Sequence, residues 1–410
     1  MDANLNGRVL IVGAGHAAGQ CAALLRQYGW TGPITLLGDE PHLPYQRPPL
    51  SKAWLKGEAD ADSLLVRPAE YYAENDIAVR TGVHVEAIDR EAWTVTLRGG
   101  ESLPYDRLIL ATGARARALP VPGAGLNNVL ALRNAQDAER LKALLQPGKR
   151  VVVIGGGYVG LEAAASARAL GCRATVVERE ARLLARVACE TLSDFFQDYH
   201  EAKGVEFVLG ASARELRGEG AVHCVLLDDG SELACDAVLV GVGAVPNAEL
   251  AAAAGLDCED GVVVDLAGRT SDPSISAIGD CTRRPLPLYA RMARLESVPN
   301  ALEQARQVAC DLTGKPPPAP EVPWFWSDQY DLKLQIAGLP FEAPLQVVRG
   351  DVGKASFAVF HLTKENLVQA VEAVNMPDAF MGGRMLIASR KPVAPARLGD
   401  MSVSMKAVLA

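Results

Sequence analysis

Residues 151–180 read VVVIGGGYVGLEAAASARALGCRATVVERE, and the reading of the whole chain starts there. The apolar run from Val151 to Ile154 has the continuity of a strand buried on both faces. It enters G-x-G-x-x-G at Gly155, Gly157 and Gly160, an alanine-rich helix follows, and a second strand ends on Glu178. The first glycine permits the tight turn and the second lets backbone approach a pyrophosphate. The third lets helix pack on strand, with the helix N-terminus facing the phosphates. A lone glycine motif is weak, but here strand, helix, strand and acid come in the expected order, so the stretch reads as an NAD site. A carboxylate at Glu178 accepts from both ribose hydroxyls and repels a 2′-phosphate, which favours NADH. Arg179 and Arg182 weaken that preference, since they can meet a pyrophosphate or lie on a solvated face. Tyr158, at the mouth of the turn, either swings aside for a nicotinamide or simply packs.

Length and composition bound the rest. At 410 residues, 49% of them hydrophobic, the chain can fill two or three globular cores. A net charge of -8 argues against nucleic acid as a partner, because no basic excess exists to release counterions from phosphate. No apolar run reaches the roughly 18 residues of a membrane span, and the N-terminus enters a strand almost at once, so a cytoplasmic location is expected. The eight cysteines are scattered without C-x-x-C, so neither a redox dithiol nor a metal site is visible by spacing.

Residues 8–40 repeat the pattern. RVLIVGAG leads into Gly13-x-Gly15-x-x-Ala18, a helix is expected from Ala17 to Tyr28, and ITLLGDE closes the unit on Asp39 and Glu40. The next stretch, PHLPYQRPPLSK, has too many prolines for a helix or a central strand, so it reads as a fixed loop carrying Arg47, Ser51 and Lys52. A strand ending in Ala111-Thr112-Gly113 brings small residues towards a bound nucleotide. Asn134 and Asp137 have the spacing of a capping box before a helix over 135–145. SISAIGDC places Asp280 at a strand end, where its carboxylate can accept from a ribityl hydroxyl, and a helix follows over 300–313. GKPPPAPEVP, residues 314–323, marks the clearest boundary; beyond it the pattern gives several antiparallel strands and a helix over 376–390.

The succession GAGHAAG, QRPPLSK, LILATGA, GGGYVGLE, AIGD, ESVPNALEQA and PWFWSDQY resembles bacterial ferredoxin reductases of the putidaredoxin reductase and biphenyl-dioxygenase reductase type, over nearly the whole chain. The resemblance implies a glutathione-reductase-like α/β fold: two Rossmann-like dinucleotide-binding domains plus a C-terminal α+β domain packed over a flavin. The divisions expected are 1–117 with 245–320 for FAD, 118–244 for NADH, and 321–410. FAD is then expected at Gly13, Gly15, Ala18, Asp39, Arg47 and Lys52, with Thr112, Gly113, Asp280 and Val298. NADH is expected at Gly155, Gly157, Tyr158, Gly160 and Glu178. Related glutathione reductases carry a dithiol after the first motif; RPPLSK stands there instead, so electrons pass through flavin alone.

Glu162 lies among Leu161 and the alanines of the second motif's helix, where an unpaired buried carboxylate costs several kcal/mol, of the order expected for any lone buried charge. The alternative is that it faces solvent. The resemblance supplies a partner in Lys52, with the pair at the hydride-accepting nitrogen of the flavin. It also matches Arg306 and Trp326 to contacts with a [2Fe-2S] ferredoxin. Because such ferredoxins are usually acidic and this chain has a net charge of -8, a local basic patch is expected, with Arg283, Arg284, Arg291 and Arg294 as candidates. The alternatives are solvated surface charge for the arginines and a packed domain seam for the tryptophans. The expected activity is hydride transfer from NADH to FAD and release of single electrons to a ferredoxin serving an oxygenase. A reductase of a small acceptor, or a slow redox-sensing protein similar to apoptosis-inducing factor, remain the alternatives.

Overall fold

The computed structural model describes residues 5–409, and the chain forms two compact units. The first takes in the chain up to Gln46, Ala61–Arg115 and Val245–Trp324; the second takes in Arg47–Asp60, Ala116–Ala244 and the chain from Phe325 onward.

In the first unit five parallel strands lie in the order Ile275–Ala277, Arg107–Leu110, Val9–Val12, Ile34–Leu37 and Ile77–Arg80. Val9–Val12 is buried throughout, as a parallel strand covered on both faces must be. Val9 and Ile11 face helices His16–Gln27 and Val298–Leu312, whose Ala18, Ala22, Ala305 and Ala309 allow close helix packing. Leu10 and Val12 face the other way, into a core shared with the antiparallel strands Val85–Asp89 and Thr94–Leu97.

The second unit repeats this plan, with parallel strands in the order Val205–Leu209, Arg173–Glu178, Arg150–Ile154, Ala237–Val240 and Val129–Leu130. Helix Tyr158–Ala169 packs on this sheet. Val152 and Ile154 share a core with Leu216, Val225 and Leu227 of a three-stranded antiparallel sheet. The C-terminal part is a five-stranded sheet in the order Trp324–Gln329, Leu332–Gly338, Val368–Val374, Ser356–Leu362 and Leu345–Asp351, with helix Pro377–Ser389 packed against it.

Most of the expected elements stand within a residue or two of their places. Asn134 and Asp137 form the capping box: the Asn134 side chain accepts from the Asp137 N–H at 2.8 Å, and Asp137 accepts from the Asn134 N–H at 3.3 Å. The chain from Glu232 to Val240 forms two separate strands. Glu232–Ala234 belongs to the antiparallel sheet and Ala237–Val240 to the parallel one, and between them Asp236 accepts from the Arg150 N–H at 2.8 Å. The proline-rich loop also contains one turn of 3-10 helix, Pro48–Ser51, because proline at a first helical position needs no N–H and already has a helical φ. Among the described residues no helix is long and apolar enough to cross a membrane.

Candidate functional site

Both glycine turns sit at the carboxyl ends of parallel strands, where open α/β sheets hold ligands. In the first unit Gly13 has φ +117°, and a Cβ there would lie 2.2 Å from the Ala111 carbonyl oxygen, so only glycine lets the neighbouring strand end come this close. That strand end continues into Thr112, whose hydroxyl donates to the Asn247 carbonyl at 2.6 Å, and Gly113, whose carbonyl accepts from the Asn247 N–H at 2.9 Å. Gly279, with φ +81°, lies against Ala17 in the first turn of helix His16–Gln27, where a Cβ on it would come 3.3 Å from the Ala17 Cβ, and Asp280 follows it. The segment is held by Gln304, which accepts from the Gly279 N–H at 2.8 Å and the Thr282 hydroxyl at 3.0 Å. Asp39 is exposed just beyond strand Ile34–Leu37. Val298 opens helix Val298–Leu312, capped by the Ser297 side chain.

The second unit builds the same turn with a carboxylate in it. Gly155 has φ +111°, a Cβ there would lie 2.4 Å from the Gly241 oxygen, and one on Gly160 would lie 2.2 Å from the Gly155 oxygen. Glu178 reaches back to accept from the Gly156 N–H at 2.7 Å while its other oxygen accepts from the Glu180 N–H at 2.9 Å. Arg182 is occupied by the Ala188 and Ala185 carbonyls and the Ser193 hydroxyl, and Arg179 pairs at the surface with Glu180. Tyr158 is half-buried, with its ring 4.9 Å from that of Phe325 and its hydroxyl donating to the Val187 carbonyl at 3.2 Å. Burial pushes its phenol well above the usual range, with Glu372 and Cys189 adding to the shift.

Both turns fit a pyrophosphate. Helices His16–Gln27 and Tyr158–Ala169 begin at Gly15 and Gly157 with no side chain capping their first N–H groups. A Cβ added to either glycine would meet nothing within 4 Å, so the space in front of these donors is open.

Four residues into its helix, one turn beyond Tyr158, Glu162 is buried at 5% exposure, and the solvent-facing alternative is excluded. Its Oε2 accepts from Lys52 Nζ at 2.7 Å and from the Ser51 hydroxyl at 2.5 Å. Its Oε1 accepts from the Ser327 hydroxyl at 2.6 Å. Ser51 is fixed in turn, because its carbonyl accepts from Ser166 at 2.8 Å. The rigid proline turn thus delivers two adjacent donors to one carboxylate. Arg47, at the start of that turn, donates to the Arg133 carbonyl at 2.7 Å.

Sequence reasoning missed Ser51 as a ligand of Glu162, and missed Ser327 and Gln329 altogether. The available signal was alternation: in strand Trp324–Gln329, residues 327 and 329 are both buried, two apart on one face. The expected basic patch needs a correction. Arg284 is 2% exposed and paired with Glu303 at 2.9 Å, because strand Thr282–Leu286 alternates Thr282, Arg284 and Leu286 inward. Arg283 pairs with Glu259, and Arg294 with Glu296 and Asp260. Arg306 is exposed on its helix beside Glu321 at 3.3 Å, and Trp326 is half-buried. Cys189, His361 and Glu372 form a buried cluster, and the Glu372 carboxylate accepts from the Cys189 N–H at 3.2 Å. All eight cysteines are free.

Comparison with known proteins places these features in context. Residues 7–305 match the family described as pyridine nucleotide-disulphide oxidoreductase, and residues 324–409 match the one described as reductase C-terminal. The chain is 49% identical over 407 residues to the probable ferredoxin reductase CtmF of Castellaniella defragrans, covering 99% of each. It is 43% identical to the putidaredoxin reductase CamA of Pseudomonas putida, covering 99% of this chain and 98% of that one. Among solved structures, the reductase chain in the covalent putidaredoxin reductase–putidaredoxin complex matches with a TM-score of 0.96 at 43% identity, covering 99% of both chains.

Proposed function

This chain belongs to the pyridine nucleotide-disulphide oxidoreductase family, and on that premise we propose that it is an NADH-dependent flavoprotein reductase of a [2Fe-2S] ferredoxin serving an oxygenase. FAD, when bound, accepts two electrons together as hydride and gives them up one at a time, which nicotinamide does not readily do. The observation that carries the reading is the buried Lys52–Glu162 pair one helical turn from the second glycine turn, in a chain without C-x-x-C.

Each part then has a task. Gly13, Gly15 and Ala18 let the first helix N-terminus approach the FAD pyrophosphate, and Asp39, Thr112, Gly113, Asp280 and Val298 surround that end of the sheet. Gly155, Gly157 and Gly160 do the same for NADH. Glu178 retains acceptor capacity for ribose hydroxyls after its two backbone bonds, since a carboxylate has about four lone-pair sites. With Arg182 and Arg179 engaged elsewhere, nothing in these bonds offsets its repulsion of a 2′-phosphate. Lys52 and Glu162 hold a fixed charge pair beside the path of the hydride. Tyr158 covers the nicotinamide end of the second turn. Arg306 and Trp326 are read as ferredoxin contacts, and the cytoplasm as the place of work.

A kinetic separation tests this assignment. Arg306→Glu should slow ferredoxin reduction and raise its KM while NADH oxidation with ferricyanide stays near wild type. If both activities fall together, or neither changes, the docking residue is elsewhere.

A further inference from the structure

Glu162 does not end at its ion pair. Ser327, which donates to it, lies 3.1 Å from Gln329 Nε2, and Gln329 Oε1 lies 2.7 Å from His200 Nε2. Ser327, Gln329 and His200 are each no more than 1% exposed. His200 reaches this place because helix Glu190–Ala202 buries Leu192, Phe196 and His200 at four-residue spacing.

The direction of every bond in this chain is forced. A carboxylate can only accept, so Ser327 donates its proton to Glu162, and the serine oxygen is left to accept from the Gln329 amide N–H. The Gln329 carbonyl must then accept from His200, which fixes the imidazole proton on Nε2 and leaves Nδ1 bare. Among the described residues Nδ1 is buried without a hydrogen-bond partner, which a bare lone pair tolerates better than an N–H would. Desolvation lowers the His200 pKa to about 4, so the ring is neutral at pH 7. All these dipoles point towards one carboxylate and polarise one another. The amide in the middle argues against proton conduction, since a proton could pass through Gln329 only by way of an imidic acid. The chain orients a charge.

We propose that His200 is a positioning residue for Glu162, fixing through Gln329 and Ser327 the carboxylate that pairs with Lys52. The inference rests on the assignment of that pair to hydride transfer. Anaerobic rapid mixing of the holoprotein with NADH follows flavin reduction directly. His200→Leu should lower the limiting rate about tenfold, the order of one lost charge-directed hydrogen bond, with the NADH concentration at half-saturation unchanged. Ser327→Ala should do as much, and the double variant should be no slower than either single one. His200→Gln, which places an amide donor near the position of Nε2, should recover most of the rate.

A readout apart from turnover is the nitrogen NMR spectrum of histidine-labelled protein, with six histidines to assign. His200 should be protonated on Nε2 and bare on Nδ1, and Ser327→Ala should shift its signals. The wild-type spectrum decides this even if a variant fails to fold. A wild-type rate in His200→Leu, additive losses in the double variant, or a proton on Nδ1 would each overturn the proposal. Glu162→Gln separates the two levels of the argument. If it is reduced at the wild-type rate, the assignment of the ion pair fails; if it is slow while His200→Leu is fast, only the positioning chain fails.

Discussion

The two glycine turns are built on the same strand register and differ in what they place around it. Val12 pairs with Leu37 and Leu110 as Ile154 pairs with Val177 and Val240, so Gly38 occupies the position of Glu178, and Thr112 that of Val242. One small residue is needed at each turn, and the two units put it on opposite sides. In the second, Gly156 leaves room for Glu178; in the first, Gly38 leaves room for Ala14, whose Cβ would lie 2.5 Å from any Cβ at 38. The acid of the first unit therefore comes one residue later, as exposed Asp39. Along the helices Gln20 takes the place of Glu162. Among the described residues it accepts only a long bond from Arg67 at 3.4 Å, whereas Glu162 has Lys52, Ser51 and Ser327. The first turn has no carboxylate at position 38 or 20, its acids Asp39 and Asp280 lying beside it; the second has Glu178 hydrogen-bonded within the turn and Glu162 ion-paired to Lys52 one helical turn on.

The largest effect that comparison predicts is at its point of greatest difference. Removing Lys52 or Glu162 alone strands the other charge and should cost roughly 3–5 kcal/mol in stability or in flavin reduction, while removing both should cost less than the sum. Gln20→Ala should cost only about 0.5 kcal/mol, the scale of a surface change. Strict additivity in the first cycle, or an equal loss at Gln20, would erase the distinction.

Acid should weaken the second unit through His200. Its pKa is about 4 in the folded chain against 6.5 as the ordinary value, and Gln329, Tyr330 and Phe207 around it carry no charge. The unfolded chain therefore takes up a proton first as pH falls, and stability present above pH 6.5 is lost on the way to about pH 4, amounting to about 3 kcal/mol. Denaturant titrations at several pH values should show this slope, flattened in His200→Gln. An unchanged slope in the variant would remove His200 as its source.

The third motif position sharpens the contrast at a smaller scale. Gly160→Ala drives a Cβ into the Gly155 oxygen and should cost roughly 1–3 kcal/mol and weaken NADH binding, whereas the first unit already has Ala18 there, fully buried. Calorimetry of NADH binding is the check, and wild-type affinity in Gly160→Ala would mean the second helix can stand off as the first does. Replacing Glu178 by Gln should narrow the preference for NADH over NADPH, by roughly 1–3 kcal/mol for one charge contact. Equal use of both cofactors by the wild type would show that the carboxylate does not discriminate.

What the sequence disclosed follows from how far apart the determinants lie. Both nucleotide folds were legible because strand, glycine turn and helix are contiguous and each glycine has a local reason. The cap at Asn134 was legible for the same cause. Lys52 and Glu162 are 110 residues apart, and only the resemblance joined them; spacing alone showed no more than a buried acid in need of a cation. Ser327 and Gln329 were hidden because a serine and a glutamine on a strand carry no motif. Arg284 was misread as surface charge, although the alternation in TRRPL already pointed it inward. Gly38 escaped notice because the swap of small residues appears only once the strand register is known.

On the proposed function, electrons enter as hydride from NADH held at the second turn and leave singly to an iron–sulfur protein. Anaerobic mixing of the yellow holoprotein, with one FAD per chain, with NADH and an oxidised [2Fe-2S] ferredoxin tests it most directly. The account predicts bleaching of the flavin followed by reduction of two ferredoxins per NADH, with little change when NADH is in excess of its half-saturating level. Flavin reduction that leaves the ferredoxins oxidised, with electrons passing only to oxygen or another small acceptor once air is admitted, would contradict it.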